Sequence, residues 1–313
     1  MKVVVAGGAG FIGSEVCRQL VAEGHDVLAI DNYFTAREGS LPDAVAVARV
    51  DLADPDDTAL RGVITGFVPD YAVHLAAISY IPYCIEHPGD TFATNVGSAE
   101  RLCRALSDTA CRRILMSSSA DVYQVNDDTH HEDDDLGPRN IYGLSKMLAE
   151  HILEYASAVA PDLAATCLRF ANVYGPGETN PHVVPDALGL IGSRAEPEIR
   201  MGYLGAERDF IHVSDIARAI RAALFADTGS FSVFNVGTGV NTPIRAMVAM
   251  MQELVGDDRE VVEDARRFRR FDRDTLRVDT DRIRTTLDWQ PEVTLRDGLA
   301  QLTAGFGAKR PPA

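Results

Sequence analysis

The sequence predicts an α/β fold, a doubly wound parallel sheet joined to a smaller C-terminal lobe. Three observations carry that prediction. Short β-rich runs alternate with helix-length segments through the first half of the chain, which requires crossover connections and so a parallel sheet covered on both faces. A glycine-rich turn, GGAGFIG at 7–13, joins the first run to the first helix. After Asn172 the alternation gives way to glycine, proline and polar residues in NVYGPGETNPH, which marks a change of lobe.

Each element follows in order. KVVVA (2–6) is the first strand, and FIGSEVCRQLVAEG is a helix stopped by Gly24. HDVLAID, AVAVARVD and YAVHLAA are the second, third and fourth strands. TNVGSAERLCRALSD reads as a helix, RRILMSSSA as the fifth strand, IYGLSKMLAEHILEYASAVA as a long helix and LAATCLRFA as the sixth strand. Beyond Asn172, VVPDALGLI reads as a helix and EIRMGY as a strand. RDFIHVSDIARAIRAALF opens another helix, and FSVFNVGTG is a late strand returning to the main sheet. The expected division is a nucleotide-binding unit over 1–171 with 209–240 returning to it, and a lobe made of 172–208 and 241–313.

The formal net charge of −16 argues against nucleic acid or an anionic membrane as the main partner, since both repel an acidic surface. No apolar run reaches the roughly 18 residues that span a bilayer. The opening MKVVVAGGAG suits a buried strand better than a secretion signal. The five cysteines, Cys17, Cys84, Cys103, Cys111 and Cys167, are scattered and form no C-x-x-C pair. They predict reduced, core-filling thiols in a cytoplasmic protein.

Gly7, Gly10 and Gly13 space the turn as G-x-x-G-x-x-G, with Phe11 and Ile12 inside it. A tight turn without Cβ atoms lets a pyrophosphate approach backbone N–H groups at the positive end of a helix dipole. Its place between a strand and a helix makes the turn a Rossmann-type dinucleotide site. Asp31, followed by Asn32, ends the second strand. A carboxylate there accepts both ribose hydroxyls and repels a 2′-phosphate, which predicts NAD rather than NADP. Asp51 and Leu52, ending the third strand, are placed to hold adenine.

The stretch NIYGLSK (140–146) sets Tyr142 and Lys146 on one helix face at i, i+4. A free phenol, with a pKa of about 10, is a poor base. A neighbouring ammonium and an oxidised nicotinamide both favour the phenolate. Ser119 in SSSADVY (117–123), at the end of the fifth strand, offers a hydrogen bond to a substrate hydroxyl, and strand carboxyl ends are where open α/β sheets keep their chemistry. Alone, a Y-x-x-x-K match is usually a surface pair. The glycine turn and the serine-ended strand turn the reading toward catalysis.

GGAGFIG, the Asp31 strand end, HLAA (74–77), SSSADVY, YGLSK, LRFANVYGPG and RDFIHVSDIA occur in one order along nearly the whole chain. In these motifs the chain resembles the extended short-chain dehydrogenases/reductases, the nucleotide-sugar epimerase/dehydratase family. The resemblance implies a bound NAD and a nucleotide sugar, most often a UDP-sugar. It implies that Leu75, Ala76, Ala77, Asn95 and Ser117 line the cofactor groove. Lys146 would grip the nicotinamide ribose and Phe170 would pack against the nicotinamide. Asn172 would meet the diphosphate, His182 and Val183 would start the segment beside the base, and Arg208 would bind phosphate. In RRFRRFDR (266–273) it implies that Arg269 and Asp272 form an R-x-x-D element, with Arg270 and Arg273 as competing registers. It also implies a homodimer paired through the helices around 94–107 and 141–157. HHEDDD (130–135) reads as a solvated loop, and no metal is assigned.

The expected reaction is 4-epimerisation. Tyr142 takes a proton from the sugar C4 hydroxyl, hydride leaves C4 for NAD, and the 4-keto sugar turns over before reduction. Asp121 falls where family dehydratases keep a glutamate, so a 4,6-dehydratase or a related ketosugar-forming enzyme using Asp121 is the alternative. A non-catalytic NAD-binding sensor is a lesser one.

Overall fold

The computed structural model describes residues 1–160, 162–193, 196–268 and 273–304. Arg269 and Asp272 therefore lie outside the described residues. Seven strands form the main sheet: β1 (Lys2–Ala6), β2 (Asp26–Asp31), β3 (Ala46–Arg49), β4 (Tyr71–His74), β5 (Arg113–Ser119), β6 (Ala164–Phe170) and β7 (Phe231–Val236). Their spatial order is β7-β6-β5-β4-β1-β2-β3 and every pairing is parallel. The order reverses between β1 and β4, and ligands of open α/β sheets bind beyond the carboxyl ends at such a reversal.

Successive side chains of a strand point to opposite faces, and this sheet buries both. Val3 and Val5 enter one core with Leu115, the helix Phe11–Ala22 through Val16 and Leu20, and the helix Val213–Phe225 through Ile216 and Ile220. Ile283 and Trp289 join that same core. Val4 and Ala6 face the other core, with Ile64, Leu102 and Leu153 from helices on that side. The apolar run KVVVA is thus a strand covered on both sides, which is why it does not alternate with polar residues. All five cysteines are buried and free. Among the described residues, no helix is long and apolar enough to cross a membrane.

The lobe has its own core, with Val184, Ile199, Met201, Phe210, Met247 and Leu299 at its centre. A small sheet pairs Glu207–His212 in parallel with Asn172–Tyr174 and antiparallel with Asn241–Pro243. RDFIH is therefore a strand before the helix begins at Val213, where the sequence reading opens the helix earlier. Its β-rich character (Phe210 and Ile211 are buried) decides the matter. Asp209 and Asp215 fasten this region. Asp209 accepts N–H bonds from Thr238 (3.0 Å) and Gly239 (2.8 Å), and Asp215 accepts them from Glu292 (3.1 Å) and Val293 (3.0 Å).

The loop HHEDDD is not wholly solvated, which corrects the sequence reading: two of its six residues are buried. His130 is buried and stacks on Tyr123 with ring centroids 4.6 Å apart. Glu132 is also buried, accepts the Asn235 N–H at 2.9 Å and lies 3.3 Å from Arg282. His131, Asp133, Asp134 and Asp135 remain exposed. The alternation inside a six-residue polar run carried the signal, because two of its members point inward.

Candidate active site

A cleft of about 1060 Å³ opens along the carboxyl edge of the sheet, between it and the lobe. Gly7, Gly10, Phe11, Ile12 and Gly13 line one end, with Asp31, Asn32, Asp51 and Leu52 beside them. Gly7 adopts φ +77°, and a Cβ there would strike the backbone of Ala76. A Cβ on Gly13 would strike the Gly7 carbonyl, so the turn packs only without side chains. Gly10 caps the helix Phe11–Ala22 with no side-chain hydrogen bond to its first N–H groups. Those N–H groups are left for an anion. Asp31 is buried, and its two carboxylate oxygens accept the N–H groups of Ala9 (2.9 Å) and Tyr33 (2.8 Å). Each oxygen keeps a further acceptor site, and Asp31 lines the cleft. This donor and acceptor set fits a dinucleotide.

An Asp31→Ala exchange is expected to weaken NAD binding by about 10–100-fold, the worth of hydrogen bonds to a charged group. The penalty for NADP should be smaller, since the 2′-phosphate no longer meets a carboxylate. Fluorescence titration with both dinucleotides reads the ratio, and an unchanged NAD-to-NADP preference would rule out this role.

The middle of the cleft gathers Leu75, Ala76, Ala77, Ser117, Ser119, Asp121, Tyr142, Lys146, Phe170 and Asn172. Ser119 lies opposite Phe170 across β5 and β6, which brings both residues to the same sheet edge. Tyr142 sits in the first turn of the helix Ile141–Val159. Asn140 caps that helix, its side-chain oxygen accepting the Gly143 N–H at 2.7 Å. A Cβ on Gly143 would strike the Asp121 carbonyl, so glycine lets the helix start press onto the serine loop. Two residues of NIYGLSK that the pair-spacing argument passed over, Asn140 and Gly143, thus fix where Tyr142 stands.

The electrostatics differ from the sequence expectation. Lys146 is buried and donates to the Ser117 carbonyl at 2.8 Å, with its Nζ 5.9 Å from the Tyr142 ring centre. The ammonium is turned onto β5 and not onto the phenolic oxygen. Burial pulls it down to about 8. Burial, and then the Asp121 carboxylate, push the Tyr142 phenol well above its ordinary value, against a hydrogen bond to Ser119. Burial and Asp121 thus outweigh the Ser119 hydrogen bond at the phenol.

Asn95, which the resemblance assigned to the groove, is buried rather than open in the cleft. It is buried behind the wall, where it accepts the Ile78 N–H (2.7 Å) and donates to the Ile78 carbonyl and to Ser145 Oγ (both 2.9 Å). It shapes the groove by holding residue 78. His74 is also internal: it bonds Ser98 through Nε2 at 2.9 Å, and burial lowers its pKa to about 3, so it stays neutral.

The lobe end of the cleft carries His182, Val183, Arg208, Arg267 and Arg273. Arg208 donates to the Glu207 carbonyl at 2.8 Å. Arg267 pairs with both oxygens of Asp186, at 2.8 and 2.6 Å. The guanidinium groups of Arg208 and Arg267 in this wall suit a diphosphate, while Arg273 is buried and donates to the Tyr123 carbonyl at 2.7 Å. Glu178, absent from the sequence reading, sits beside His182 with 2.5 Å between its Oε1 and the ring Nδ1. Burial raises the Glu178 carboxyl. No periodic motif marks this pair, since the segment is irregular.

A parallel sheet with an uncapped glycine turn, an acidic β2 end and a Ser/Tyr/Lys set in one cleft defines a nucleotide-binding α/β enzyme of dehydrogenase architecture. The chain belongs to the NAD dependent epimerase/dehydratase family, whose model matches residues 3–237. It is 31% identical over 310 residues to the UDP-glucose 4-epimerase of Corynebacterium glutamicum, covering 94% of this chain and 92% of that one. The crystal structure of a UDP-glucose 4-epimerase with UDP-glucose from Thermotoga maritima superposes with a TM-score of 0.90 at 28% identity, covering 98% of each chain. MoeE5 in complex with UDP-glucuronic acid and NAD superposes with a TM-score of 0.86 at 28% identity, covering 97% of this chain and 99% of that one.

Proposed function

We propose that the protein is an NAD-dependent nucleotide-sugar 4-epimerase acting on a UDP-sugar. The convergence of Ser119, Tyr142 and Lys146 beside the glycine turn, in a cleft that continues to an arginine-lined lobe, carries this reading. It agrees with the relatives, which are named as UDP-glucose 4-epimerases.

What NAD supplies when bound is reversible hydride acceptance and a positively charged ring. Tyr142 takes the proton of the sugar C4 hydroxyl, and Ser119 holds the same oxygen as it becomes a ketone. Lys146, held on the Ser117 carbonyl, orients the nicotinamide ribose. Arg208 and Arg267, with Asn172, anchor the diphosphate so that the hexose turns at one fixed end. Tyr142 then returns its proton to the oxygen of the inverted alcohol. No net oxidation occurs.

Incubation with UDP-glucose and no added reductant tests the proposal. A product of equal mass, chromatographically UDP-galactose, is expected. A product lighter by one water would instead support the 4,6-dehydratase reading, which the Asp121 carboxylate in the cleft favours. No product from any UDP-hexose would overturn both.

We infer a homodimer from the outer face of the helix Ile141–Val159. Leu148, Tyr155 and Val159 are exposed there, at a spacing that forms one stripe. The helix Ser98–Ser107 adds exposed Glu100, Arg104 and Ser107, while its apolar residues face its own sheet. A monomer mass in sedimentation equilibrium at micromolar concentration would count against the dimer. Five buried, free thiols support a cytoplasmic location, which cell fractionation checks.

A further inference from the structure

Two aromatic residues that line the cleft, Phe34 and Tyr83, have no part in the polar chemistry described above. They come from different loops. Phe34 follows β2, and Tyr83 stands on the helix Ile81–Glu86 that follows β4. In the sheet β1 lies between β2 and β4, and the glycine turn leaves the carboxyl end of β1. The two rings nevertheless meet edge to face, with centroids 5.7 Å apart, a favourable geometry for an aromatic pair. A contact between these loops therefore bridges the strand from which the turn springs.

The backbone holds Phe34 in that place at a cost. Tyr33 has φ +61°, in the left-handed region that a bulky side chain rarely occupies. Its N–H donates to Asp31 Oδ1 at 2.8 Å, and its ring lies 5.4 Å from the Arg49 guanidinium carbon. The Phe34 N–H donates to Asn32 Oδ1 at 2.9 Å. The turn so fixed leaves Phe34 58% exposed, although phenylalanine is among the side chains a fold most often buries. Tyr83 is braced from its other side: it packs on His87, with centroids 4.3 Å apart, and its hydroxyl lies 3.4 Å from Asp90 Oδ2. Backbone conformations of this kind collect at ligand clamps.

We propose that Phe34 and Tyr83 form a clasp on the cofactor: the paired rings close over the dinucleotide on the glycine turn and hold it between turnovers. The clasp deepens the 4-epimerase reading and rests on it for the need to retain NAD. A 4-epimerase ends each turnover with its cofactor in the state in which it began, so release serves no step of the cycle. Apolar rings cover the ligand without placing a charge beside it. To leave, NAD has to part the two loops. Asp31, which the cleft offers to a ribose, also fixes the Tyr33 turn that carries Phe34.

The test loads the full-length protein with radiolabelled NAD, chases it with a large excess of unlabelled NAD, and reads the release rate by rapid filtration with no sugar present. Phe34→Ala and Tyr83→Ala should each speed release by about tenfold, the scale of one aromatic pair with the area it covers. Tyr83→Phe keeps the ring and should stay within about twofold of wild type. The double variant, Phe34→Ala with Tyr83→Ala, should release NAD no more than about twofold faster than either single variant, because the rings act only as a pair. Phe34 is exposed, so its removal takes nothing from the core. An unchanged release rate in Phe34→Ala overturns the clasp. So do single effects that multiply in the double variant. Either result leaves the 4-epimerase reading standing, since that is decided separately by conversion of UDP-glucose to a product of equal mass.

Discussion

Replacing Tyr142 with phenylalanine is expected to lower kcat with UDP-glucose by about 10²–10⁴-fold, the usual worth of a positioned proton-transfer group. KM should stay within about threefold, because the ring remains and only an interaction of the transition state is lost. The reason lies in how the protein treats the phenol. Burial and Asp121 hold it neutral, and the Lys146 ammonium is directed to the Ser117 carbonyl. A positive charge from the oxidised nicotinamide ring, when NAD is bound, favours release of the proton. A second readout follows. Adding NAD to the wild type should raise near-ultraviolet phenolate absorbance at mildly alkaline pH, and Tyr142→Phe should lose that change. Lys146 sets the other limit: a cation held down to about 8 is present below that pH and lost above it. The pH profile of kcat/KM should therefore decline above about pH 8, a limb absent from Lys146→Met. Full activity in Tyr142→Phe would refute the proton-transfer role and give weight to a non-catalytic NAD-binding sensor.

What could be read from the sequence was local in the chain. The glycine turn, the Asp31 strand end and the Tyr142/Lys146 pair are each encoded within a few residues. The backbone alone then brings them to one sheet edge. Parallel topology was legible for the same reason, since KVVVA, RRILMSSSA and LAATCLRFA are runs that only a sheet covered on both faces can bury. Contacts between distant segments were not legible. Asn95 matches a motif position, yet its amide is fixed by Ile78 and Ser145, residues 17 and 50 positions away. The bond from Lys146 to the Ser117 carbonyl was not legible either, because spacing on a helix does not say which way a long side chain turns. Arg273, one of several arginines in a basic run, is distinguished only by carbonyls nearly 150 positions earlier. Glu132 looked solvated because its partners, Asn235 and Arg282, are themselves far along the chain.

The largest stability effect is expected from the polar group beneath the site. Arg169 and Glu150 are both buried and form a double contact, with Nη2 to Oε2 at 2.7 Å and Nε to Oε1 at 2.9 Å. The same guanidinium donates to the Tyr123 hydroxyl and the Glu132 carbonyl, each at 2.9 Å. The Tyr123 hydroxyl in turn donates a hydrogen bond to Asn235 Oδ1 on β7 at 2.7 Å. One side chain of β6 thereby links the Tyr142 helix, the loop after Ser119 and the next strand. Arg169→Ala would leave a buried carboxylate and two further polar groups without their partner. Removing one member of a buried pair costs about 3–5 kcal/mol, which urea denaturation would read as a lower midpoint at unchanged slope. The paired exchange Arg169→Met with Glu150→Leu should recover much of that loss, because an apolar pair of similar volume leaves no charge behind. Its kcat should still be reduced, since the contacts to Tyr123 and Glu132 that hold the Ser119 loop are not restored. A loss below about 1 kcal/mol in Arg169→Ala, the range of an exposed ion pair, would show that the charges are not sealed from water. Full activity in the stable double variant would show that the network serves folding alone and does not position the site.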